Sequence, residues 1–152
     1  MTHALRAAGI RFAASDDLGA VLALLRACGL PTDGVEEVFP TGFIVSRDAT
    51  GELEAVAGVE VHGAVGLLRS VAVRADRRGT GLGRIISVQA IEWARDADLS
   101  DLYLLTTTAE SFFPRLGFER VERTAVPAVL NASAELQGAC PASAIVMHLR
   151  LA

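Results

Sequence analysis

Leu67-Leu68-Arg69-Ser70-Val71-Ala72-Val73-Arg74-Ala75-Asp76-Arg77-Arg78-Gly79-Thr80-Gly81-Leu82-Gly83-Arg84 is the stretch from which the rest of this 152-residue chain is read. An apolar run enters a basic, glycine-rich turn. A helical pattern follows at once, with Leu82, Ile85, Ile86, Ala90, Trp93 and Ala97 on one side. Glycines at 79, 81 and 83 let the backbone approach a ligand closely and take conformations that a Cβ blocks. The unpaired N–H groups of a first helical turn point at whatever sits there, and the helix dipole favours an anion. Arg77, Arg78 and Arg84 add forked cationic donors. Cations oppose the dipole at a helix N-terminus, so their placement implies a compensating anion. A pyrophosphate fits. A turn built only for tight packing explains the glycines, but not the arginines.

Upstream, Ile10 to Ala14 reads as a strand, and Ser15 offers an N-cap to a helix with Leu18, Val21, Leu22, Leu25 and Cys28 at helical spacing. Pro31 to Gly42, with Asp33, Glu36 and Glu37, reads as a loop with a short helix and a lid over an acceptor. Phe43–Arg47, Leu53–Val61 and Val65–Arg74 form a meander of strands. Downstream of the long helix, Gly81 to Ala97, come a strand to Thr107 and a helix capped by Thr108 and stopped by Gly117. Two closing strands, Phe118–Arg123 and Ile145–Leu151, flank an Ala-rich segment. The sum is an α/β fold: a mixed, twisted sheet of six to seven strands with helices on both faces.

Composition narrows the function. The length suits one domain, residues 1–152, and 51% hydrophobic residues suffice for a buried core. No apolar run approaches a membrane span, and Met1–Arg6 lacks a signal-peptide pattern, so the expected location is cytoplasmic, without membrane partners. A net charge of −4 argues against nucleic acid. All 14 basic residues are Arg. With no Lys, a P-loop, a pyridoxal phosphate Schiff base and a Ser-Lys dyad are excluded. His3, His62 and His148 lack metal-ligand spacing, so no metal is expected. Cys28 and Cys140 give no disulfide framework.

The glycine spacing also fails the Gly-x-Gly-x-x-Gly dinucleotide pattern. Arg78-Gly79-Thr80-Gly81-Leu82-Gly83 instead resembles the [Gln/Arg]-x-x-Gly-x-[Gly/Ala] signature of the GNAT N-acetyltransferases. Asp101 to Thr108 resembles the family's next strand, and Ala109 to Phe118 its following helix with a terminal Gly-Phe pair. More narrowly, Leu67–Val73, Thr106–Thr108 before Ala109-Glu110-Ser111-Phe112-Phe113, and Cys140–Ala144 resemble the arsenic-resistance-associated N-acetyltransferases.

The resemblance implies acetyl-CoA as cofactor and direct acetyl transfer to the amine of a small molecule, such as an amino acid or a glutamate-like toxic analogue. It implies that Val71 and Val73 meet the pantetheine and thioester, with Val71 N–H near the thioester carbonyl as an oxyanion donor. Arg78, Gly79, Thr80, Gly81, Leu82, Gly83 and Arg84 then cradle the pyrophosphate. Many relatives carry a Tyr four residues before the Gly of the Gly-Phe pair as general acid. Phe113 stands there, which keeps a non-catalytic acyl-CoA sensor as the competing reading.

For a base, Glu60 late on its strand is the candidate, against a solvent-facing carboxylate; nothing places Glu54, Glu36 or Glu37 near the thioester. Arg69 stands two residues before Val71, which alternation puts on the same strand face. It either clamps an acceptor carboxylate or pairs with an acid such as Glu60. Thr106 and Thr107 are candidates for binding pantetheine or acceptor. Cys140 reads as a small hydrophobe and not a nucleophile. Exposed strand edges are compatible with a homodimer.

Overall fold

The computed structural model describes residues 9–152; the leader reading of Met1–Arg6 lies outside the described residues. Its elements are β1 (Ile10–Phe12), α1 (Leu18–Ala27), α2 (Val35–Val38), β2 (Phe43–Arg47), β3 (Leu53–His62), β4 (Val65–Val73), α3 (Leu82–Asp96), β5 (Asp101–Thr106), β6 (Glu119–Val121) and β7 (Ile145–Arg150). The seven strands form one sheet in the order β1-β2-β3-β4-β5-β7-β6. Among the described strands only β4 and β5 are parallel, joined by the α3 crossover.

Helices cover both faces, as expected. On one, Leu82, Ile86, Ala90 and Ala94 of α3 pack on Ile44, Ala57, Val59, Leu68 and Leu104. On the other, Val21, Leu24 and Leu25 of α1 pack on Phe43, Val45, Val56 and Ala72. Each fully buried aliphatic side chain contributes roughly 1.5–3 kcal/mol. Helix α3 starts at Gly81, whose φ of 87° is left-handed. It ends with Asp98 at φ 64° and Leu99 N–H donating back to the Ala94 carbonyl. That closure satisfies a terminal carbonyl and turns the chain into β5.

Three local expectations are corrected. Ser15 does not cap α1; a 3₁₀ turn precedes the helix, and the Asp17 carboxylate accepts the Ala14 N–H at 2.7 Å. No helix runs from Thr108 to Leu116: only a 3₁₀ turn, Phe113–Leu116, forms there. Pro114 lacks an N–H, clashes with a preceding helical turn and biases Phe113 away from helix, so it is accepted only near a helix start. Thr108 caps nothing; Thr106 Oγ1 accepts the Ala109 N–H at 3.0 Å.

The third correction concerns Arg69 and Val71. The β3–β4 register passes from Gly58↔Arg69 to Val56↔Ala72, two residues against three. Ser70, at φ 60°, is the turning point of this bulge. Arg69 therefore faces the α1 side, while Val71 packs with the α3 core.

Candidate active site

Strands β4 and β5 pair only at Val65↔Asp101, Gly66↔Leu102 and Leu67↔Tyr103, and then part. The bulge at Ser70 lies just past the last of these pairs. A cavity of about 760 Å³ opens in the gap, walled by Leu68 to Val71 and Val73 on one side and Leu104 to Ala109 on the other. A second cavity of about 450 Å³ lies at the start of α3, against Arg77, Arg78, Gly79, Gly81, Gly83 and Arg84. Both share Val73, Arg78, Gly83 and Phe112, so they adjoin.

In the turn, Gly79 (φ 77°) and Gly81 (φ 87°) hold left-handed backbone with open space where a Cβ would sit. Their requirement is conformational. Gly83 has ordinary helical φ, 3.4 Å from Val73 at its would-be Cβ. Arg78 Nε donates to the Val73 carbonyl at 3.1 Å, tying the turn to β4. Arg77 pairs with Glu54 at 3.3 Å. Thr80 turns its hydroxyl onto the Arg77 carbonyl at 2.6 Å, bracing the turn and not lining either cavity. The Leu82 side chain is buried in the core and lines neither cavity. Arg115, which the sequence reading missed, enters the second cavity from the turn before β6.

Val71 and Val73 both line the first cavity. The β3–β4 register skips Ser70 and Val71, and the β4–β5 pairs stop before them. Thr106 and Thr107 are both on the wall, Thr106 buried and Thr107 exposed. Phe113 is buried beside Phe112 and Phe118, ring centroids 5.0 and 5.8 Å apart, and offers no hydroxyl. Tyr103 stacks on His148 at 4.7 Å and does not line the cavity.

The charged residues regroup. Arg69 has a side chain at 0% exposure, with Nη1 donating to Glu60 Oε2 at 2.6 Å and Nε 3.4 Å from Glu135 Oε2. Its fork is taken by two carboxylates, so the free acceptor clamp gives way to the ion pair. Glu60 accepts Arg69 on one oxygen and meets His62 Nε2 at 2.9 Å on the other, and does not line the cavity. Burial works to raise its pKa, but His62 and Arg69 hold it below the usual carboxylate range. A carboxylate so occupied is a poor base.

Glu135 was not anticipated. It begins a short helical segment, Glu135–Ala139, kinked at Gly138 (φ 117°) between β6 and β7, and lines the cavity at 4% exposure. Burial, with the Glu60 charge adding to it and Arg69 only partly opposing, raises its pKa to about 7. Cys140, hydrogen-bonded to it, is pushed by burial up to about 12 and stays a thiol. The available signal was a lone acid, Glu135, in an apolar segment, matching a lone Arg69 in an apolar strand.

Residues 39–120, just over half of the chain, match the family model described as the acetyltransferase (GNAT) domain. The chain belongs to the GNAT acetyltransferase family. Mycothiol acetyltransferases from Arthrobacter sp. and Pseudarthrobacter chlorophenolicus are 32% identical over 91 residues, 53% of this chain. The match spans only 28% of those relatives' length. Among solved structures, N-acetylglutamate synthase from Neisseria gonorrhoeae, complexed with coenzyme A and N-acetyl-glutamate, superposes at a TM-score of 0.79 with 22% identity, over 94% of this chain and 35% of that one. A Mycobacterium tuberculosis protein in complex with CoA superposes at 0.77 with 24% identity, over 94% and 99%. These structures share the GNAT fold of the chain. Among the described residues, no helix is long and apolar enough to cross a membrane.

Proposed function

We propose that residues 1–152 act as one acetyltransferase domain that binds acetyl-CoA and transfers the acetyl group directly to the amine of a small molecule. The observation that carries this is the adjoining pair of cavities. A glycine and arginine turn at a helix N-terminus suits the pyrophosphate. From there a slot between two parting strands suits the pantetheine arm, and ends beside Val71 and a buried carboxylate. The second cavity is lined by Arg78, Arg84 and Arg115 and by Gly83 of the first α3 turn, a cationic lining at a helix N-terminus that suits a pyrophosphate. Coenzyme A is present in both structural neighbours described above, which supports this cofactor. Val71, at the bulge, is the donor proposed for the thioester oxyanion; one such donor is worth roughly 3–4 kcal/mol of barrier.

The acceptor class follows the narrower resemblance to arsenic-resistance-associated N-acetyltransferases. Parts of all three segments that carry it, from Leu68, from Thr106 and from Cys140, line the first cavity. A small amino acid or analogue is the proposed acceptor. With Arg69 already paired, the selection falls on the amine and not on a carboxylate clamp. Acetyl-CoA consumption is measured by release of free CoA across a panel of amino acids and simple amines. Release with one class and not with buffer supports the reading.

Phe113 favours a second reading, an acyl-CoA sensor without turnover. Tight binding of acetyl-CoA with no CoA release for any amine decides for the sensor.

A further inference from the structure

We propose that Glu135 is the general base that takes the proton of the acceptor ammonium, with Arg69 and Glu60 positioning it from behind; this rests on the transfer reading above. The geometry singles it out. Arg69 serves two buried carboxylates with one charge, holding Glu60 at 2.6 Å and Glu135 at 3.4 Å. The closer pair leaves Glu135 the less compensated partner, and Glu135 is the one on the cavity wall. Glu135 and the β4 residues Arg69 to Val71, beside which the thioester is proposed to lie, line the same cavity.

The groups around it fit that role. From β3 come Glu60 and, behind it, His62; from β4, Arg69; from its own segment, Ser133 and Cys140. Arg123 braces the Pro141–Ala144 loop through three carbonyls at 3.4 Å. Cys140 stays protonated near neutral pH, and Asp33, also on the cavity wall, is exposed to solvent. A buried carboxyl titrating near 7 is matched to deprotonating an ammonium at neutral pH.

The step balances. The acceptor ammonium gives one proton to Glu135, and the freed nitrogen lone pair forms a C–N bond to the thioester carbonyl carbon. The C–S bond breaks, and its electron pair leaves on sulfur. The thiolate takes the second nitrogen-bound proton, directly or through water. Glu135 returns its proton to solvent, so ammonium and acetyl-CoA yield amide, free CoA and one proton.

The test follows kcat/KM against pH for the whole chain and its Glu135→Gln and Glu135→Asp variants, using two amines of different basicity. The wild type should rise through a limb near pH 7 whose position is the same for both amines. Glu135→Gln should lose that limb and about 100-fold or more in kcat with the basic amine, the KM for acetyl-CoA unmoved. The loss should shrink with the less basic amine, and Glu135→Asp should recover part of the rate. A limb that persists in Glu135→Gln, or an equal loss with both amines, overturns the proposal. If Glu135→Gln fails to fold, a wild-type limb that tracks the amine overturns it equally. Wild-type protein that binds acetyl-CoA yet turns over no amine brings down the transfer reading, and Glu135's role with it.

Discussion

Arg69 and Val71, two residues apart on β4, face opposite sides of the sheet because Ser70 between them adopts φ 60°. One consequence is electrostatic: the guanidinium joins Glu60 and Glu135 on the α1 side. The other concerns the cofactor: Val71 turns toward the α3 core at the point where β4 and β5 part. A single strained residue thus sets both ends of the proposed reaction.

Ser70 is therefore sensitive to side-chain shape. Left-handed backbone costs an L-residue roughly 1–2 kcal/mol, and most for β-branched ones. Ser70→Gly relieves that cost but loses the bond its Oγ accepts from Arg69 Nε at 3.1 Å, so it should stay near wild-type stability. Ser70→Val should unfold at lower urea concentration, at least about 1–2 kcal/mol below the glycine variant. Equal midpoints would remove the strain argument.

The buried carboxylates give stability a pH signature. Below pH 4.5, folded and unfolded chains both hold the Glu135 proton. Between 4.5 and about 7 only the unfolded chain releases it, so wild-type stability falls by about 3 kcal/mol over that window. Glu60, lowered in the folded state, works the other way: its contribution is present above its unfolded pKa and lost in acid. Urea denaturation at about pH 5 and about pH 8 should show Glu135→Gln gaining on the wild type by about that amount. Parallel pH dependence of the two proteins would count against a raised Glu135.

Removing the shared cation is harsher. Arg69→Met leaves Glu135 without its cation and Glu60 with His62 alone, and should cost about 3–5 kcal/mol at neutral pH. The loss should ease in acid as the carboxyls protonate. Near-wild-type stability at neutral pH would mean that water reaches the pair.

At the far end of the channel, Arg115→Ala should raise the KM for acetyl-CoA about tenfold with kcat unchanged, as expected for one charge-assisted bond to phosphate. The difference from wild type should narrow with added salt. A fall in kcat alone would place Arg115 outside the phosphate site.

Phe113→Tyr asks whether the missing hydroxyl matters. A thiolate leaves readily, so kcat should change by less than about tenfold, where a required general acid is worth about 10²–10⁴. A gain of about 100-fold would show that sulfur protonation limits turnover.

What the sequence made legible follows the range of the interactions involved. The α3 turn was readable because its glycines, arginines and helical period are contiguous. The sheet was readable from alternation and turn residues, which act locally. Pro114 announced the short 3₁₀ turn, and the helical reading of Thr108–Leu116 passed over it. The Ser70 bulge carries no glycine to mark it, so strict alternation put Arg69 and Val71 on one face. Glu135 lies 66 positions after Arg69, and their pairing exists only once the β6–β7 segment folds over the sheet.

Every functional step proposed for this chain depends on acetyl-CoA binding at the α3 turn. Calorimetric titration of the wild type and Gly81→Glu with acetyl-CoA, with NAD as control, tests it most directly. Glutamate at Gly81 would force a side chain into left-handed backbone at φ 87° and bring a carboxylate to the helix N-terminus that the pyrophosphate needs. The wild type should bind acetyl-CoA saturably and NAD not at all, and the variant should lose acetyl-CoA binding with its circular dichroism unchanged. A wild type that does not bind acetyl-CoA, or a Gly81→Glu variant that binds it equally well, would rule out this turn as the cofactor site.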